Sequence, residues 1–267
     1  MKLTKLTTAM LLTFAAFAGS NANAAPITIG GVTFDPDSFF DFSSTSNLFE
    51  TTTGVAGNTI SGYGKITSVN ALGNFVAPGA ELTYQFGGYT LLPSVLQPIG
   101  PCNGFGTGIN QDCSFAFTGG WLKVYYDPVA DFDALVKSTS GLDVGGNLWL
   151  DLSATNGAYA PGITLVGAVT GQNSVGLTGQ GVGYFDVVGG AAMANLDTNS
   201  EPGGADLTYS SSFQALQNPI INGGQTVATA MGTNEIFGNS IPEPASLALV
   251  GLGLLGLGMS RRNKKSA

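Results

Sequence analysis

The chain has 267 residues, 10% of them charged and 43% hydrophobic, with 40 glycines, 2 cysteines and no histidine; ordinary globular chains carry about 25% charge and roughly half as much glycine. The missing histidine excludes serine–histidine or cysteine–histidine nucleophiles, imidazole-bound metals and the neutral-pH proton shuttling that imidazole provides. The formal net charge of −8 is uneven, because six of the nine cations sit at the two ends and only Lys65, Lys123 and Lys137 face sixteen acids between residues 25 and 240; such a surface repels phosphate backbones and argues against nucleic acid as a partner.

In chain order, residues 1–24 read as a secretory signal peptide. Lys2 and Lys5 form its basic start, Ala9 to Ala18 an apolar run too short to span a bilayer, and Ala22-Asn23-Ala24 a small-x-small site that places cleavage between Ala24 and Ala25. Residues 25–219 are expected to form one domain, with 220–240 as a small-residue stalk or linker beyond it. Within the domain, short alternating runs predict strands. They fall at Ile27–Phe34, Thr59–Val69, Leu82–Phe86, Phe115–Thr118, Trp121–Tyr126, Leu148–Leu152, Ile163–Val169, Gly181–Val188 and Asp206–Phe213. Paired glycines such as Gly30-Gly31, Gly87-Gly88 and Gly119-Gly120 suit turns or bulges that need positive φ. The expected fold is all-β, a single antiparallel β-sandwich domain with one short helix.

Cys102 and Cys113 are the only cysteines, and in an exported chain the simplest reading is a disulfide, worth about 3 kcal/mol for a loop of this length. The predicted helix starts at Asp127 as N-cap, with Pro128 in its first turn and Phe132, Leu135 and Val136 on one face, and ends at Gly141. Asp127, Asp131 and Asp133 are a candidate site for calcium as a cofactor, because clustered carboxylates suit a hard cation. Acids in a helix's first turn are also favoured without any metal. Asp35, Asp37 and Asp41 form a weaker candidate of the same kind.

At the C-terminal end, Pro242-Glu243-Pro244 breaks the chain, Ala245 to Met259 is uncharged and apolar, and Arg261, Arg262, Lys264 and Lys265 follow. A helix of about 15 residues rises about 22 Å, so it would span a bilayer only with thinning or snorkelling. The basic cluster acts as a stop-transfer signal and stays cytoplasmic under the positive-inside rule. Gly251-Leu252-Gly253-Leu254-Leu255-Gly256 fits a dinucleotide-binding spacing, but it lies inside this segment with no preceding strand and no acid at the required distance. The order of these three parts resembles the PEP-CTERM sorting signal of Gram-negative bacteria. That resemblance implies an inner-membrane intermediate, processing at Pro242-Glu243-Pro244 by an exosortase, and a host that makes exopolysaccharide. With Gly57 to Asn70 and Gly141 to Leu150, the body is similar to the flocculation-associated PEP-CTERM proteins, which implies a role in cell aggregation at the surface or in the matrix.

The expected function is therefore that of a non-enzymatic exported protein acting in flocculation or biofilm aggregation with exopolysaccharide. Two alternatives compete. A carboxylate-based enzyme on matrix sugars needs no histidine and could draw on Glu50, Glu81, Glu201 and Glu235, but it requires two of them to converge. A passive spacer would carry information only in its C-terminal address. Trp149 with Tyr159, Tyr63, or Trp121 with Tyr125 are the aromatic side chains that could meet a sugar, although such residues more often serve as core or cross-strand partners.

Overall fold

The computed structural model describes residues 25–51, 57, 59–92, 113–135, 146–172, 177–222 and 224–241. The all-β expectation holds. The first strand region folds back on itself at Gly30-Gly31, where both residues have positive φ, giving a hairpin of β1 (Ile27–Ile29) and β2 (Val32–Phe34). The remaining strands are β3 (Phe42–Thr51), β4 (Thr59–Val69), β5 (Glu81–Leu91), β6 (Cys113–Asp127), β7 (Asn147–Ala154), β8 (Leu165–Gln172), β9 (Leu177–Gly189), β10 (Leu207–Asn222) and β11 (Gln225–Gly238). They form one antiparallel sheet.

That sheet closes on itself. From β3 to β6 each strand pairs with the next, and β6 then switches partner along its length, with Cys113–Phe117 on β8 and Trp121–Tyr126 on β7. Gly119 and Gly120, both at positive φ, sit at the switch. β9 lies against β7 and β8 on one edge and β10 on the other, and β11 joins β10 to β3. Facing walls pack across a common apolar core, as a sandwich requires, and because hydrogen bonds join the layers at their edges the sandwich is closed into a barrel.

The meander gives the closed sheet two distinct ends. At one end lie Phe42, Val69, Glu81, Asp127, Gly189, Leu207 and Gly238; at the other lie Thr51, Thr59, Leu91, Cys113, Gln172 and Gln225. The first end is capped by the β1–β2 hairpin and by α1 (Met193–Leu196). Phe34, Phe42, Trp149 and Leu196 are fully buried there, and the Trp149 indole Nε1–H donates to Ile29 O at 2.8 Å. Asp206 organises the connection around α1, its carboxylate accepting from the backbone N–H groups of Val187, Thr198 and Asn199 at 2.6–2.7 Å.

Two expectations are corrected. The stretch 220–240 is not a stalk: Gln225–Gly238 is the strand that closes the sheet between β10 and β3. Of its buried residues Ala228, Ala230 and Asn234 are small or polar and Ile236 alone in that phase is large and apolar, so its sequence shows little of the apolar alternation that marks a strand. Residues 128–135 do not start a helix. The buried Glu81 carboxylate takes the N–H groups of Asp131 and Phe132, and Asp127 and Asp133 each bind the N–H two residues on, so the segment runs through bends and a turn instead of a helix. Phe132 packs there on Tyr63, whose hydroxyl donates to Ala134 O and is pushed up to about 12 by burial and by the nearby Asp133.

Candidate functional site

Three features of the molecule bear on function, and the first is where the chain leaves the barrel. Asp41 Oδ2 accepts both the backbone N–H and the hydroxyl of Ser240, each at 2.8 Å, and Ile241 N donates to Asn195 O at 2.7 Å. The backbone is thus held up to Ile241, and Pro242 follows immediately. Ile27 in the cap lies at the same end, so both chain connections emerge there.

The second feature is the outer face of β5, β6 and β7. Strand alternation puts Trp121, Lys123 and Tyr125 on one side of β6, with Trp121 and Tyr125 about 13 Å apart along the strand. Register places Gln85 and Asp151 on either side of Lys123. Lys123 Nζ pairs with Asp151 Oδ2 at 2.7 Å, and Gln85 Nε2 donates to the Tyr125 hydroxyl at 2.8 Å. Trp121 lies over the backbone of Gly87 and Gly88, where a side chain would displace it. The result is a polar strip between two half-buried aromatic side chains.

The third feature is an interior cavity in the half of the barrel away from the cap. Its volume is about 90 Å³. Small residues open it: Gly167 on β8, Gly181 on β9, Ser211 on β10 and Ala230 on β11 all line it. Opposite Ala230 in register is Glu50, 8% exposed and, among the described residues, the one charged side chain in the lining. Desolvation raises its carboxyl to about 7. Tyr209 also lines the space, and burial holds its hydroxyl well above the usual range.

Residues 240–262 match the PEP-CTERM protein-sorting motif. No curated protein and no solved structure matches the chain. The PEP-CTERM motif implies processing by an exosortase and a route through the membrane to the cell surface. It overlaps the held residues Ser240 and Ile241, so the sorting segment begins where the last strand's anchorage ends, with no spacer between them.

Several residues singled out from sequence fall outside the described part: Ala24 of the cleavage site, Cys102, Pro242, Glu243 and Pro244, the apolar segment Ala245 to Met259, and Arg261, Arg262, Lys264 and Lys265. No helix among the described residues is long and apolar enough to cross a membrane. Cys113 opens β6, but its pairing with Cys102 also lies outside the description. Asp127, Asp131 and Asp133 do not gather into a cluster that could hold a metal ion; the Asp127 and Asp133 carboxylates accept from backbone N–H groups two residues on, and Asp41 is engaged with Ser240. Of the four glutamates, Glu81 pairs with Lys65 on the outer wall at 2.7 Å, Glu201 accepts from Thr208, Glu235 is exposed on β11, and only Glu50 reaches the cavity. Trp149 and Tyr63 are buried and Tyr159 is exposed but packs on Tyr184, apart from Trp149, so Trp121 and Tyr125 are the pair that shares one outer face. The cavity itself was not anticipated. The available signal was the run Phe42, Ser44, Ser46, Leu48, Glu50, whose period of two places the acid in phase with core residues.

Proposed function

We propose that this is an exported, non-enzymatic surface protein, delivered through its sorting motif, that promotes cell aggregation by contact with exopolysaccharide. The observation that carries this reading is the outer face of β5–β7. Aromatic side chains supply apolar faces for sugar rings, and the strip of Gln85, Lys123, Asp151 and Ser153 between and beside them supplies hydrogen bonds. Both lysines among the described residues are ion-paired, so the acids dominate the remaining charge and a neutral or cation-bridged polymer suits this surface better than a polyanion alone. Of the four glutamates only Glu50 lines the cavity, so a paired-carboxylate glycosidase there, which requires two carboxyls about 5–9.5 Å apart, would lack a second glutamate.

The test is complementation of a deletion strain under matrix-producing conditions. The wild-type gene should restore aggregation, and Trp121→Ala with Tyr125→Ala should fail to restore it while the protein still reaches the surface in normal amount. A fusion of residues 240–267 to an unrelated exported domain should also fail. Full rescue by that fusion, or by the double variant, would overturn the reading in favour of a passive spacer or a different contact face.

A further inference from the structure

We propose that the interior cavity is a binding site for a small lipophilic amine, with the ammonium group held by Glu50 and the apolar part held among aromatic rings. Phe86, Tyr89, Phe117, Phe185, Tyr209 and Phe213 surround the space, and its lining is overwhelmingly apolar. A core built only for stability would fill such a space, because an empty volume forfeits dispersion contacts and costs stability. Here the strands instead place glycine, serine and alanine inward at Gly167, Gly181, Ser211 and Ala230, on four different strands.

Into this apolar space comes one carboxyl, more than nine-tenths buried, with no ion pair to any described residue. Isolated buried acids are costly and are retained where something complements them. An ammonium group does so twice over: it pairs with the carboxylate, and aromatic faces attract it by cation–π interaction. A carboxylate ligand would meet charge repulsion, and an alcohol would gain a hydrogen bond without the ion pair. The limited free space restricts the ligand to a short chain or a single ring.

The groups facing Glu50 are few. Tyr84 and Tyr89 on β5 and Tyr209 on β10 are kept neutral by burial; among the described residues β4, β6, β8, β9 and β11 present no charged side chain to the cavity. Amine binding should therefore follow the ionisation of Glu50 alone.

Calorimetric titration of the full protein with n-hexylamine, n-hexanol and hexanoate tests the assignment. At pH 8, hexylamine should bind at least tenfold more tightly than hexanol, and hexanoate should not bind. Affinity of the wild type for hexylamine should rise about tenfold from pH 6 to pH 8, the change in ionised fraction across a carboxyl that titrates near 7. Glu50→Gln should remove both the amine preference and the pH dependence while retaining hexanol binding. Equal affinity for amine and alcohol in the wild type, an amine preference that survives Glu50→Gln, or no binding of any probe would overturn the proposal. The wild-type pH series stands even if the variant folds poorly.

Discussion

The two ends of the barrel are built from the same strands with the same inward and outward alternation, yet they do opposite things. At the capped end the inward positions carry Phe34, Phe42, Trp149 and Leu196, the Trp149 indole N–H is bonded to Ile29 O, and the chain is held as far as Ile241. At the other end the inward positions shrink to Gly167, Gly181, Ser211 and Ala230, and an acid is left among aromatic rings. The difference teaches that side-chain volume, rather than strand pattern, separates the part of this molecule that holds it together from the part with room for a ligand. Because both chain connections emerge at the capped end, a sorting segment that continues from Ser240 leaves the cavity end on the far side of the barrel.

The largest effect that tests this contrast is truncation within the cap. Trp149→Ala should cost about 3–5 kcal/mol in denaturant unfolding, since it removes a fully buried indole and its bond to Ile29 O. Phe213→Ala, beside space that is already empty, should cost much less. Equal losses would break the distinction between a packed end and a cavity end.

Next in size is the pH dependence set by Glu50. Its folded carboxyl titrates near 7 against an unperturbed value of 4.5, so between those values the folded state binds more protons than the unfolded state. Stability from this group is fully present below pH 4.5 and is lost as pH rises towards and through 7, by roughly 3 kcal/mol in total. Glu50→Gln should abolish that component, and urea midpoints measured from pH 4.5 to 8 in both proteins would check it. A wild-type slope unchanged by the substitution would remove Glu50 as its source.

A smaller effect sharpens the account of the chain exit. Asp41→Ala removes the acceptor for two bonds from Ser240 and should cost about 2 kcal/mol. Amide hydrogen exchange should accelerate at Ser240 and Ile241 while the strands of the cavity end stay protected. Unchanged exchange at those two amides would show that the exit is held by other contacts.

Much of the barrel is legible in the sequence because most of its strands obey a simple code. β4 runs over Thr59–Val69 as its alternation predicts, and β7 and β10 begin within one residue of their expected starts. β3 and β11 escape that code for a physical reason. They form a wall whose inward residues include Ser44, Ser46, Ala230, Gly232 and Asn234, small enough for aromatic side chains from neighbouring strands to lie over it. Tyr84, for instance, crosses Gly64 so that its hydroxyl donates to Asn47 O at 2.6 Å. The false helix at Asp127 has a similar origin: its caps are genuine local bonds, but a distant buried acid, Glu81, captures the N–H groups that would have continued the turn. The closure of the sheet through β9 and β10 depends on long-range register that no local pattern encodes. The sorting motif, by contrast, is linear chemistry and can be read without the fold.

The claim on which the account rests is that this barrel is an exported body released from a C-terminal sorting segment that begins at its capped end. The most direct test is the intact mass of the protein recovered from the cell surface and from the medium. The account predicts a chain that starts at Ala25 and ends close to Pro242-Glu243-Pro244, without the apolar segment or the basic tail. A mature protein whose mass extends to Ala267 would contradict it and leave a barrel that is only anchored, never processed.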